Sequence, residues 1–313
     1  MAKTNLKEAE ALIKVEGILS EKGIEETTVD GKKQIKGDLV IQTSDTNFTT
    51  FSVFVNEYKS DGKGGFTSEK NGTYAGIKTV LEDYKSIAKD GKEAASRIRV
   101  TKGQIRPNTY INKQGARQDG IRYNSTFFNR LKDSEELNPH AEFELELFIS
   151  SIKPEQAKNE DQVLEETGRV LVKGWMPTYN GIECITLVAP QEDGIAEAIT
   201  DSYERGQTVE FSGDVVSTRE EKIEIIPVKI GKPKEKRTVT YKNELVITGA
   251  SEPYEEGVFR VPYDADVIEA AVVERETKLA EAEAKAKSGE SSNKGAQQQT
   301  GKAKPVAGRN LTF

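Results

Sequence analysis

Arg97, Arg99, Lys102, Arg106, Lys113, Arg117, Arg122, Arg130 and Lys132 fall within one stretch, RIRVTKGQIRPNTYINKQGARQDGIRYNSTFFNRLK (97–132), against Asp119 alone, in a chain of 313 residues with a formal net charge of -7. Cations without acidic neighbours suit phosphate. Each phosphate they neutralise releases condensed counterions, and that release supplies most sequence-independent affinity for a polyanion. Charge does not separate duplex from single strand, but flat rings do. Tyr110, Tyr123, Phe127 and Phe128 interleave with these bases, and single-strand binders combine a basic groove with aromatic platforms on which unpaired bases stack.

Positioning those groups requires strands. Side chains alternate along a strand, so in RIRV Ile98 and Val100 face one way while Arg97 and Arg99 project the other. NKQGARQDG then reads as a hairpin loop that sets Lys113, Arg117 and Arg122 on an arm beside a binding groove, flanked by Lys102, Arg106, Tyr110 and Tyr123. In FTTFSVFVNEY (48–58), Phe51, Val53 and Val55 form an apolar face, and Phe48, Ser52, Phe54, Asn56 and Tyr58 form a mixed aromatic and polar one. That second face suits an oligonucleotide platform. Phe66 and Tyr74, in or beside the glycine-rich segment KSDGKGGFTSEKNG, read as a clamp that orders on binding.

Other chemistries find little support. Cys184 is the lone cysteine and His140 the lone histidine, which excludes an internal disulfide and a multi-cysteine zinc site. Neither GxxxxGK[ST] nor GxGxxG occurs. Glu142, Glu144 and Glu146 alternate along one strand and read as its solvated face. The expectation is a protein that is not an enzyme, with no catalytic residue, no metal and no cofactor. No apolar run approaches the roughly 20 residues of a membrane helix, and MAKTNLKEAE lacks a signal-peptide core, so the expected setting is the cytoplasm, without a membrane partner.

The order of elements is repeated. KVEGILS, QIKGDLVIQT and FTTFSVFVNEY read as three strands, GIKTVLEDYKSIAK as a helix, and SRIRVTKGQIRPNTYI and IRYNSTFFNRL as two more strands. AEFELELFISSI, GRVLVKGWMP, GIECITLVAP, the helix GIAEAITDSYERG, then QTVEFSGDVVST and EKIEIIPVKIG give the same series again. Five strands with a helix between the third and fourth is the plan of the OB-fold. The fold class expected is mainly β: two tandem OB-like five-stranded barrels, a C-terminal helix over ADVIEAAVVERETKLAEAEAKAK, and a polar tail of disordered composition. The divisions are 1–137 (basic), 138–250 (acidic) and 251–313 (helix and tail). Between Asn138 and Gly231 stand 8 Lys and Arg against 19 Asp and Glu, which opposes phosphate binding there.

DSYERGQTVEFSGDVVSTREE (201–221), a helix closed by an Arg-Gly turn before a strand reading apolar-x-apolar-x-Gly-x-apolar, resembles a passage of single-stranded DNA-binding proteins. SRIRVTKGQIRPNTYINKQGARQDGIRY resembles the strand, basic hairpin and strand of the same proteins, and the tandem plan with a tail is similar to bacteriophage members. The resemblance implies a non-enzymatic protein that coats single-stranded DNA in replication or recombination. It also implies partner capture by the chain end, here Leu311 and Phe313, although residues 294–313 lack the acids such ends carry. A virion assembly protein built of tandem barrels, with the acidic half as an interface, is the alternative. Self-association is compatible with either.

Overall fold

The computed structural model describes residues 6–62, 65–112, 114–159, 162–179, 181–226, 234–257 and 260–287. The first half comprises β1 (Ala11–Lys22), β2 (Glu25–Val29), β3 (Lys32–Gln42), β4 (Phe48–Asn56), β5 (Tyr58–Ser60), β6 (Phe66–Lys70), α1 (Gly72–Asp83), α2 (Ile87–Asp90), β7 (Arg97–Ile111), β8 (Arg117–Asn124) and β9 (Asn129–Arg130). The second comprises β10 (His140–Lys158), β11 (Leu164–Thr178), β12 (Gly181–Ala189), α3 (Ile195–Ser202), β13 (Thr208–Ile226), β14 (Lys234–Ala250) and α4 (Ala265–Lys287). The described residues are mostly β, with α1 and the one-turn α2 in the first half, the two-turn α3 in the second, and the longer α4.

One cycle of strand pairings occurs twice. β1 pairs with β3, β3 with β4, β4 in parallel with β8, β8 with β7, and β7 returns to β1. In the same way β10 pairs with β11, β11 with β12, β12 in parallel with β14, β14 with β13, and β13 with β10. The parallel closures are short: Phe51 and Ser52 opposite Tyr123 and Asn124 in the first ring, Val188 opposite Val246 in the second. Gly103 and Gly213 hold corresponding places, opposite Ile13 and Phe143. A Cβ on Gly103 would sit 2.6 Å from the Ile13 side chain, and one on Gly213 would sit 1.9 Å from the Val246 carbonyl oxygen. Only glycine lets the strands approach this closely.

β1 and β10 themselves pair antiparallel, with Ile13 opposite Phe143, so one sheet runs through both rings. Their sequences, ALIKVEGIL and AEFELELFI, share Ala, alternating apolar residues and a glutamate at matching places. Both glutamates are buried, Glu16 and Glu146 being 2% and 3% exposed. Each accepts a hydrogen bond from a backbone N–H leading into the other ring's first strand: Asn138 donates to Glu16, and Glu10 to Glu146. Glu16 also accepts from Arg99 Nε at 2.6 Å, and Glu146 from the hydroxyls of Tyr254 and Tyr263. Glu146 is therefore not on a solvated face, because three hydrogen-bond donors meet it inside; of Glu142, Glu144 and Glu146, Glu142 alone is exposed. The apolar cores are continuous, from Phe51, Ile105 and Tyr123 through Ile13 and Phe143 to Phe211 and Leu245. Burying each such side chain contributes on the order of 1.5–3 kcal/mol.

Several segments differ from the sequence expectation: the helix expected over GIKTVLEDYKSIAK is two, α1 and α2, and the strand expected over IRYNSTFFNRL ends at Asn124. QTVEFSGDVVST and EKIEII form one strand, β13, and the fifth strand of the second ring is β14, drawn from what reads as a connection. Sixteen residues of β13 pair across to β14, and alternation alone does not mark where one strand becomes two. The polar run after β1 holds β2, which pairs with β3, and the glycine-rich segment holds the β5–β6 hairpin. α4 spans the expected residues. It packs Ile268 and Ala271 against Phe148 and Ile182, with Trp175 and Tyr263 around them. The tail beyond Lys287 lies outside the described residues.

Candidate nucleic-acid interface

The outer faces of β4, β7 and β8 meet at one groove. The pairings Ser52 with Asn124, Gln104 with Asn124, and Arg106 with Arg122 bring alternate side chains of three strands into register. Their neighbours Phe51, Ile105 and Tyr123 point inward, and period-2 alternation therefore sends Phe54, Lys102, Arg106 and Arg122 outward. The groove, of about 610 Å³, is lined by these residues with Ser52, Gln104, Asn124, Thr126 and Phe127. Among the described residues no Asp or Glu lines it.

Two aromatic rings flank it. Phe54 is 59% exposed and Phe127 57% exposed, although burial would be worth a few kcal/mol to either. The turn after β8 explains Phe127. Buried Ser125 accepts a hydrogen bond from the Phe127 N–H at 3.1 Å, and the next ring, Phe128, turns inward to meet Phe51 edge-on with centroids 5.7 Å apart. One residue of the pair anchors the turn and the other is displayed. Arg106 donates to Gln104 Oε1 at 2.6 Å, and among the described residues Lys102 and Arg122 make no ion pair. Asp38 lies next to the groove, accepting from Ser52 Oγ at 2.8 Å.

The other sequence candidates scatter. Arg97 donates to the carbonyl oxygens of Lys132 and Glu135, and Arg99 pairs with Glu16 and Glu135, so both hold the connection into β10 instead of meeting solvent phosphate. Arg117 lies on the opposite face of the hairpin, its two terminal nitrogens each 2.8 Å from a carboxylate oxygen of Glu276 in α4. That bond holds the Arg117 guanidinium above its ordinary pKa and the Glu276 carboxyl below its own. Tyr123 is 3% exposed, packed 6.3 Å from Phe51, and burial pushes its phenol pKa up. It is a core residue, since its odd position in β8 faces inward. Tyr74 lies in the first turn of α1, on its buried side, with its hydroxyl donating to Glu26, so it is no clamp. The bond from Lys33, then that from Tyr74, brings the Glu26 carboxyl down to about 2.

Phe48, at the start of β4, and Tyr58, at the start of β5, are half-buried and outside the groove lining. Phe66 is half-buried in the β5–β6 hairpin, with Lys32 Nζ 4.3 Å from its ring centroid. Tyr110 is 43% exposed on the groove-side face of the hairpin, farther out along β7. Lys113, Leu311 and Phe313 lie outside the described residues. Sequence reasoning names Lys102, Arg106, Arg122 and Phe54 but does not separate Phe127 from Phe128, and it overlooks Gln104, Asn124 and Thr126. The parity of β7 and β8 about their glycine and tyrosine holds the missing signal.

No curated protein matches this chain. Among solved structures, the single-stranded DNA binding protein from Thermus aquaticus is similar at 10% identity and a TM-score of 0.42, over 81% of this chain and 98% of that one. A replication protein A heterotrimer bound to ssDNA is similar at 8% identity and a TM-score of 0.22, over 88% and 71%. The model of the family described as YorF matches residues 10–285, most of the length, and the chain belongs to that family.

Proposed function

We propose that this protein binds single-stranded DNA, largely without regard to sequence, in the groove of its first ring, and that both rings are OB-type barrels. The observation that carries the reading is the groove's composition: two exposed phenylalanines beside Lys102, Arg106 and Arg122, with no carboxylate in the lining. Phe54 and Phe127 offer π-faces that any base can stack on, at about 1–3 kcal/mol per base. Lys102, Arg106 and Arg122 neutralise the backbone. Gln104, Asn124 and Thr126 both donate and accept, so they can meet any base edge without selecting one.

In this reading the protein is a non-enzymatic, cytoplasmic factor of DNA replication or recombination, encoded by a phage. The test is a titration of labelled oligo-dT and an equal-length duplex across a ladder of salt concentrations. Tight, strand-selective binding is expected, with log K falling against log salt at a slope of about -2, three phosphates at roughly 0.7 each. Equal affinity for duplex, or no binding at low salt, would overturn the proposal.

A further inference from the structure

Residues 105–111 of β7 and 117–123 of β8 pair with one another, and beyond Gln104 on β7 and before Tyr123 on β8 neither strand has another neighbour in the sheet among the described residues. This ribbon carries Arg106 and Arg122 near its root and Tyr110 farther out. A lone two-stranded hairpin is marginal in water, so the ribbon needs support from elsewhere to present its cations at fixed places. Its groove-side face is open. Its other face, with Thr109 and Arg117, meets α4.

The contacts there form a chain from the second ring to the ribbon. Arg275, 7% exposed, donates to Glu183 of β12 through Nε and Nη2, at 3.2 and 2.9 Å, and its guanidinium lies 5.6 Å from the Trp175 ring centroid. The same side chain donates to Thr109 Oγ1 on the ribbon at 2.5 Å and to Glu276 at 2.8 Å. Glu276 in turn takes Arg117 in a two-pronged pair, a geometry that fixes orientation as well as distance. Thr109 donates across the ribbon to Asp119. Lys287, at the helix end, lies against Gly115 at the ribbon tip.

We infer that α4 is a brace for the DNA-binding ribbon, with Arg117 and Thr109 as positioning residues that the helix grips and the second ring anchors. The inference rests on the single-strand reading above. It assigns the acidic second half a use that its own surface charge denies it: it holds the first half's cations in place. Arg117 supplies no phosphate contact in this scheme, because it projects away from the groove, Glu276 takes both terminal nitrogens and Nε is buried.

Glu276→Ala in the full chain separates a brace from a latch. If α4 braces, oligo-dT binding weakens by about three- to tenfold as the ribbon's side chains lose their fixed positions, while the salt slope moves by less than one phosphate's worth. Amide exchange across residues 107–111 and 117–121 quickens. Glu276→Gln, which keeps an oxygen acceptor for both Arg117 and Arg275, retains more of the affinity and protection than Glu276→Ala does, and covers the case in which the alanine variant folds poorly. Tighter binding with a steeper salt slope would show instead that Glu276 withholds Arg117 from phosphate, and would overturn the brace. Unchanged ribbon exchange in Glu276→Ala would overturn it as well, whether or not oligo-dT binds. Failure of the wild-type chain to bind oligo-dT would overturn the single-strand reading, and with it the use assigned to the brace.

Discussion

Matched residue by residue through their pairings, the two rings share an interior and oppose each other outside. Asn124 faces Gln104 and Ser52 in the first ring, as Val246 faces Asp214 and Val188 in the second. Arg106 and Arg122 then correspond to Val216 and Glu244, Lys102 to Ser212, and Phe54 to Pro190. The inward positions stay apolar: Ile105 and Tyr123 answer to Val215 and Leu245, all buried. Glu244 reverses the local charge and takes up Arg169 and Lys242, each at 2.9 Å. Alternation lets one face of a strand hold the fold while the other is free to change, so identical topology says nothing of shared function.

The contrast is broken most directly by removing the rings that only the first groove displays. Phe54→Ala with Phe127→Ala should weaken oligo-dT binding by about a thousandfold, taking roughly 2 kcal/mol for each stacked base. Pro190→Ala, the counterpart change, should leave affinity alone, and fluorescence titration reads both. A loss common to the two variants would mean that the second ring also binds.

The buried glutamates sharpen the contrast, since position and burial match and only the partners differ. Glu146→Ala strands the hydroxyls of Tyr254 and Tyr263 and the Glu10 N–H, and should cost about 3 kcal/mol by urea unfolding. Glu16→Gln should cost about 2 kcal/mol, with a further signature in acid. Burial by itself would raise the Glu16 carboxyl, but bonds from Arg99 and the Asn138 N–H outweigh it and hold the carboxyl below its usual range. A lowered folded-state pKa contributes stability in full above the unfolded value, about 4.3, and loses it as pH falls through the folded one. Urea midpoints measured from pH 5 downward should therefore drop less steeply in Glu16→Gln than in the wild type.

The smallest effects belong to single cations. Arg106→Ala and Arg122→Ala should each reduce the salt slope by about 0.7 and weaken binding severalfold at moderate salt. Glu244→Gln should change neither quantity beyond about twofold.

Much of this arrangement is visible in the residues. The repeated series of strands, the helix between the third and fourth of each set, and α4 follow from apolar spacing, glycine punctuation and helix propensity, which act over a few residues. The strand that spans QTVEFSGDVVST and EKIEII is less visible, because a long two-stranded hairpin and two short strands share one alternation. Among the cations, net charge over 97–132 marks the region, but it does not say which arginines remain free. Arg97, Arg99 and Arg117 look like Arg106 and Arg122 in sequence, and each is taken by a group far along the chain: the Lys132 and Glu135 carbonyls, Glu16, and Glu276.

By itself, then, the sequence determined the mainly β character, the doubling of one topology and the place where positive charge gathers, since periodicity and composition are local properties. Tertiary structure alone decided that the halves share a sheet through β1 and β10, that Glu16 and Glu146 are buried, and that Phe127 is displayed while Phe128 is spent on the core. It also decided which bases remain for a ligand. Those outcomes depend on strand parity relative to a closed ring and on partners 35 to 159 residues away, and no spacing within one segment encodes either.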